Sequence, residues 1–384
     1  MPLPLPVPIM AGIYLHIPFC KKACHYCDFH FSTSIRYKDE MIAAIRAELI
    51  FQKGFLDHAP IETIYFGGGT PSILSADDLK LIIADIYENF TVTESPEITL
   101  EANPDDLHPQ KVKELKQTLI NRFSIGIQSF FEEDLIWMNR AHNSSEAESS
   151  VKRVQDAGFE NITVDLIYGY PLLNNEKWES NIRQVIEFGV PHVSAYSMTV
   201  EPATALASFI RKGKQEAMNE AQSADQFLML MESLQEGGFE HYEISNFARP
   251  GHYSRHNSNY WNGVPYLGIG PSAHSYKDNV RQWNVSNNTH YMDSIEKGII
   301  PAELENLTEE NQINEYIMTS LRTAAGMNLE KITEKFGTAY RSEIENDLAR
   351  FAENNWIDQS DSLVTLTRNG KLYADHIASG LFVG

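Results

Sequence analysis

From residue 12 to about residue 245, short apolar runs rich in β-branched and aromatic residues alternate with longer segments of helical period. The runs are "GIYLHIPF" (12–19), "IETIYFG" (61–67), "EITLEAN" (97–103), "FSIGIQS" (123–129), "NITVDLIYG" (161–169) and "HVSAYSMTV" (192–200). Their near-continuous apolar character suits strands covered on both faces. Alternation with helical segments is the signature of repeated βα units around a parallel sheet. Six such units predict an α/β fold, a partial parallel (β/α)6 barrel, with too few strands for a closed eight-stranded one. Ser75 with Asp78 and Ser145 with Glu148 each fit a capping box ahead of a periodic apolar stretch, and the second of these helices is expected to end at Gly158.

A seventh apolar element, "FEHYEISNFA", follows a helix at about 218–236. The expected organisation is a flexible extension at 1–10, with four prolines in its first eight residues, a βα body at 11–245, an aromatic and irregular region at 246–300, and a helical module at 301–384. The last segment reads as helices, a hairpin around "SDSLVTLT" and a final helix ending near Gly380, a winged-helix-like order. It lacks a dense Lys/Arg face, which favours a packing or lid role over DNA binding.

Composition narrows the class without changing the fold. Hydrophobic residues at 42% and charged residues at 22% are the proportions of a soluble globular chain. No stretch reaches the roughly 18 apolar residues of a membrane span, and the N-terminus lacks the basic and apolar regions of a secretion signal, so a cytoplasmic location is expected. A net charge of −21 disfavours broad attachment to nucleic acid or anionic lipid.

All 3 cysteines, Cys20, Cys24 and Cys27, fall between residues 20 and 27. An odd number in a reducing compartment argues against a disulfide framework, and inert buried thiols do not explain the clustering. A metal site is favoured, and His30 offers a fourth ligand for a Cys3His zinc ion. The triplet also follows the first strand of a βα series, at the edge of the sheet where such folds place active sites. An iron–sulfur cluster held by three thiolates uses that position well, since one iron stays open to an exogenous ligand.

"CKKACHYC" after a strand resembles the cluster motif of the radical S-adenosylmethionine (SAM) superfamily. The segments "YFGGGTPS", "EANPDDL", "RFSIGIQSF", "DLIYGYP", "SAYSMTVEP" and "HYEISNFARPG" follow in the order of one branch, the HemN/HemW family. That family comprises oxygen-independent coproporphyrinogen III dehydrogenases and haem chaperones. The resemblance runs from about residue 11 to the C-terminus. It implies a [4Fe–4S] cluster on Cys20, Cys24 and Cys27, with SAM chelating the open iron, the cofactor carrying the difficult chemistry. It implies SAM contacts from Gly68, Gly69 and Thr70, a ribose acceptor at Glu101, further contacts from Gln128, Arg140 and Asp165, and flanking aromatics at Tyr14 and Tyr26. Read alone, the glycine triplet serves equally as a tight turn, and no Lys-Ser/Thr pair follows to make a P-loop.

Two features separate the branches. The dehydrogenases continue to a fourth cysteine, where this chain has Phe29, as the chaperones do. "HNSNYW" (256–261) fits the H-N-x-x-Y-W pattern of the chaperone group, and implies a haem site with His256 as iron ligand and Tyr260 and Trp261 as flat apolar surface. His252 and His274 are the alternative ligands. The resemblance therefore implies a haem chaperone whose partners are haem and an acceptor protein, with transient contact to a membrane protein compatible with that role. Coproporphyrinogen dehydrogenation is the runner-up; an RNA-modifying radical SAM enzyme is disfavoured by the charge.

Overall fold

Each of the six apolar runs forms a strand, and the six pair in chain order. They are β1 (Ala11–Ile17), β2 (Ile61–Gly68), β3 (Val92–Ala102), β4 (Arg122–Gln128), β5 (Asn161–Tyr168) and β6 (His192–Ser197), every neighbouring pair parallel. The structure, a computed structural model, describes residues 10–384. The extension expected at the N-terminus falls almost wholly on residues 1–9, outside the described residues.

Burial on both faces explains the apolar runs. Ile13, Leu15, Ile64, Phe66, Leu100, Ile125, Val164 and Val193 are fully shielded from solvent in one continuous core. Each such side chain contributes about 1.5–3 kcal/mol of transfer free energy, so the sheet's register is strongly fixed. The helix Ala76–Asn89 starts at the expected capping box, with Ser75 and Asp78 bonded reciprocally. The second box is displaced: Asn143 and Glu146 cap the helix Ser144–Asp156, in place of Ser145 and Glu148. Asparagine caps as well as serine does, and the earlier start adds two residues to the helix. Its C-terminal end is closed by Gly158 at φ 80°.

The seventh apolar element divides into β7 (Glu240–Glu243) and β8 (Asn246–Ala248), an antiparallel hairpin beside β6. Buried Glu243 closes the turn, accepting from the Ser245 backbone N–H at 3.1 Å and from Asn246 Nδ2 at 2.6 Å. The region 246–300, expected as irregular, is regular structure. Helix Arg255–Trp261 leads to β9 (Tyr266–Ile269), which pairs in parallel with the outer edge of β1. An antiparallel set follows, β10 (His274–Lys277), β11 (Val280–Asn284) and β12 (Ala302–Asn306), interrupted by helix Asn288–Glu296. These strands are too short to show a period. Gly268 lets β10 begin directly against β9, because a Cβ there would collide with the His274 carbonyl oxygen.

The result is a 12-stranded open sheet ending at β12 on one side and β7 on the other, with seven parallel strands at its centre, a partial barrel. Residues from Ile313 onward have their own core around Ile317, Leu321, Ile332, Leu348 and Val364. Helices Glu309–Leu321, Leu329–Phe336 and Thr338–Glu353 surround it, with a small antiparallel sheet of β13 (Met327–Asn328), β14 (Ile357–Ser360) and β15 (Leu363–Leu366). No helix among the described residues is long and apolar enough to cross a membrane.

Candidate functional site

The cysteine loop leaves the C-terminal end of β1 and is pinned at its base. The Cys20 N–H donates to the Ser32 carbonyl at 3.0 Å, and the Ser32 N–H returns to the Pro18 carbonyl at 2.9 Å. Lys21 ties the loop to Asp105 at 2.7 Å and to Asp106. The three thiols are half-buried and free. Burial pushes the Cys20 thiol up and that of Cys27 to about 11, so thiolates here require a compensating charge. Two donors are already aimed at sulfur: Thr70 Oγ1 at Cys20 Sγ, 3.4 Å, and Arg140 Nη1 at Cys24 Sγ, 3.3 Å.

The zinc alternative is not assembled. His30 turns its Nε2 to Asn288 Oδ1 at 2.7 Å, and among the described residues no three His, Cys, Asp or Glu side chains converge at single-ion distance. Three thiols on an open loop, with a guanidinium and a hydroxyl directed at them, fit a cluster of several irons better than one closed tetrahedral ion.

Facing the cysteines, the glycine loop lies backbone to backbone against the chain after β1. The Gly69 N–H donates to the Ile17 carbonyl at 2.9 Å and the Thr70 N–H to the Phe19 carbonyl at 2.7 Å. A Cβ on residue 69 would stand 2.6 Å from the Phe19 oxygen, so only glycine permits this approach. Gly68, at φ 102°, turns the chain out of β2.

The strand ends supply a polar floor. Glu101, next to last in β3, accepts from Tyr65 Oη at 2.8 Å, and burial raises its carboxyl to about 8. Asp165 in β5 accepts from Ser124 Oγ at 3.1 Å to each oxygen, and burial raises it to about 7. Gln128 sits at φ 65° where the β4–β5 register shifts, a bulge that redirects its side chain at the sheet mouth. Arg140 is fixed by Asn103 Oδ1 at 2.7 Å and the Gly126 carbonyl at 2.8 Å, while its buried Nε has no partner among the described residues.

One cavity of about 420 Å³ gathers all three cysteines with Tyr26, Gly68, Gly69, Thr70, Glu101, Gln128, Arg140 and Asp165. Tyr14 lies outside it, lining a neighbouring cavity of about 920 Å³ between the sheet mouth and the C-terminal module. Asp28, Phe29, Gly68 and Glu101 border both cavities. Tyr260 and Trp261 line the larger one.

His256 does not line it. "HNSNYW" is helical, so His256 lies one turn beneath Tyr260 and against β2. Nδ1 hydrogen-bonds with Thr63 Oγ1 and Nε2 with Tyr260 Oη, both at 2.8 Å, while the ring stacks on Tyr65 at 4.9 Å. Burial lowers its pKa to about 3, keeping it neutral. Both ring nitrogens are thus engaged within the fold. Asn103, Tyr65 and Ser124 were not anticipated. Asn103 was the accessible one: it stands two residues beyond Glu101, on the same face of an extended segment.

The Radical SAM superfamily profile matches residues 14–185, and that of the HemN C-terminal domain residues 307–373. The chain is 36% identical to Heme chaperone HemW of Bacillus subtilis, over 98% of this chain and 100% of that protein. It is 32% identical to Heme chaperone HemW of Mycobacterium tuberculosis, over 96% of this chain and 94% of the relative. The solved structure of coproporphyrinogen III oxidase (HemN) from Escherichia coli, described as a radical SAM enzyme, superposes with a TM-score of 0.85 at 21% identity, covering 98% of this chain and 91% of that one. At that identity the likeness is one of fold.

Proposed function

The chain belongs to the HemW family of radical SAM proteins, and on that premise we propose that it is a haem chaperone, which takes up haem beside a SAM-liganded [4Fe–4S] cluster and passes it to an acceptor protein. The observation that carries this reading is the pair of adjoining cavities, one lined by the cysteines and polar strand ends, the other large and aromatic. In it Cys20, Cys24 and Cys27 hold the cluster, and the bound cluster supplies one-electron chemistry toward SAM.

The chain's own residues then have definite tasks. Arg140 and Thr70 offset thiolate charge. Gly68 and Gly69 let backbone approach the ligand, Tyr26 and Tyr14 flank it, and Gln128 with Asp165 supplies polar contacts. Glu101 is suited to a ribose hydroxyl: protonated near neutral pH, it sheds or shares its proton when a donor arrives. Phe29, 67% exposed on the wall between the cavities, occupies the place of the dehydrogenases' fourth cysteine. The same reading puts the protein in the cytoplasm, where it meets a haem-accepting protein, and it allows transient contact with a membrane protein.

The test is to titrate anaerobically reconstituted full-length protein with haem and, separately, to incubate it with coproporphyrinogen III and a reductant. Saturable haem binding without protoporphyrinogen formation is expected. Turnover of coproporphyrinogen III without haem binding overturns the assignment.

A further inference from the structure

The side chain of Asn103 joins the two groups that are aimed at sulfur. Its Oδ1 accepts from Arg140 Nη2 at 2.7 Å, and its Nδ2 donates to Thr70 Oγ1 at 3.3 Å. Beyond these links, Arg140 Nη1 is directed at Cys24 Sγ at 3.3 Å and Thr70 Oγ1 at Cys20 Sγ at 3.4 Å. The turn after β3 is held without this amide. The Asn103 N–H donates to Ser72 Oγ at 3.2 Å, and its carbonyl accepts from the Asp106 N–H at 3.0 Å. The side chain itself is spent on the cavity that gathers the cysteines.

The direction of the bonds follows from the donor inventory. A guanidinium has donors only, so the amide must turn its oxygen to Arg140 and its NH2 group to Thr70. The Thr70 oxygen therefore accepts from Asn103, and its single proton is left for Cys20. On the other branch, the Gly126 carbonyl accepts from the same Arg140 Nη2 at 2.8 Å, which keeps Nη1 facing Cys24. An aspartate at position 103 would reverse the second bond. With no N–H to give, the carboxylate would draw the Thr70 hydroxyl proton away from Cys20 and add a negative charge beside the sulfurs.

We propose that Asn103 is a positioning residue that orients the Thr70 hydroxyl and the Arg140 guanidinium toward Cys20 and Cys24, and so raises the reduction potential of the cluster those cysteines hold. The inference rests on the iron–sulfur part of the reading above and is independent of haem. Hydrogen bonds to the ligand sulfurs, and positive charge near them, stabilise the more negative reduced cluster and move its potential upward. Asn103 acts on the cluster through both donors at once.

The test is a redox titration of the full-length chain, reconstituted anaerobically with iron and sulfide and read by electron paramagnetic resonance without SAM or haem. In Asn103→Asp, iron and sulfide content should stay near that of the unaltered protein. The equilibrium constant for one-electron reduction should fall at least about tenfold, a shift of about 59 mV to more negative potential. Asn103→Ala, which loses both links but gains no charge, should shift the same way by less. Thr70→Val, which keeps the shape and removes the hydroxyl, should also lower the potential. An unchanged potential in Asn103→Asp, with only a loss of thermal stability, makes Asn103 a structural residue and overturns the proposal. Where Asn103→Asp fails to fold or to hold the cluster, Thr70→Val decides, and an unchanged potential there overturns it. If the unaltered protein takes up no iron or sulfide, the cluster reading fails and the proposal with it.

Discussion

Replacing His256 by alanine should cost stability. The imidazole makes two side-chain hydrogen bonds of 2.8 Å and lies against Tyr65 inside the core. Each bond contributes about 1 kcal/mol net, and Thr63, fully buried, is left with an unsatisfied hydroxyl costing about 1–3 kcal/mol. The Tyr260 hydroxyl loses a partner too, but that side chain lines the large cavity and can rehydrate. Together with the void left by the ring, the expected loss is about 3–5 kcal/mol. Urea unfolding of cluster-free protein, followed by tryptophan fluorescence and far-ultraviolet circular dichroism, reads it as a lowered midpoint. His256→Gln, which keeps a donor and an acceptor, should recover part of the loss. Stability within about 1 kcal/mol of the original would show that these contacts contribute nothing to the fold.

Serine at any one of Cys20, Cys24 or Cys27 should abolish the oxygen-sensitive cluster, read as iron and acid-labile sulfide near zero after anaerobic reconstitution, because three thiolates are the whole ligand set. Gly69→Ala places a methyl 2.6 Å from the Phe19 carbonyl; equilibrium dialysis should show SAM affinity reduced more than about tenfold, at a stability cost of about 1–3 kcal/mol. Ligand-free stability should fall on both sides of a mildly acidic optimum. Glu101 and Asp165, raised to about 8 and about 7, contribute stability that is complete below their unfolded values near pH 4 and lost as pH rises through 7 to 8. His16, lowered to about 4, and His142, His241 and His256, each lowered to about 3, contribute stability that is present above about pH 6.5 and lost as pH falls. Urea midpoints across pH 4–9 measure both limbs; Glu101→Gln should flatten the alkaline one, and an unaltered limb there would contradict the assignment.

The parallel core was legible because strands buried on both faces must be apolar throughout, as in "EITLEAN" and "NITVDLIYG". The loop chemistry was legible because the cysteines and glycines follow strand ends in order. What escaped was whatever depends on contacts distant in sequence. β9 to β11 are four or five residues long and are set by pairing with β1 and with each other, which leaves no period to read. The contacts of His256 escaped as well: one helical turn puts it beneath Tyr260, bonded to Thr63 across 193 positions of sequence.

The central claim is that one chain holds a cluster and a haem in adjoining cavities separated by Phe29 and Glu101. Iron-edge anomalous diffraction from anaerobic crystals of the reconstituted, haem-loaded protein tests it most directly. Two separate iron sites are expected, a cluster against Cys20, Cys24 and Cys27 and a single iron within the cavity lined by Tyr260 and Trp261. A haem iron located elsewhere on the molecule, or iron confined to the cysteine loop after saturation with haem, would contradict it.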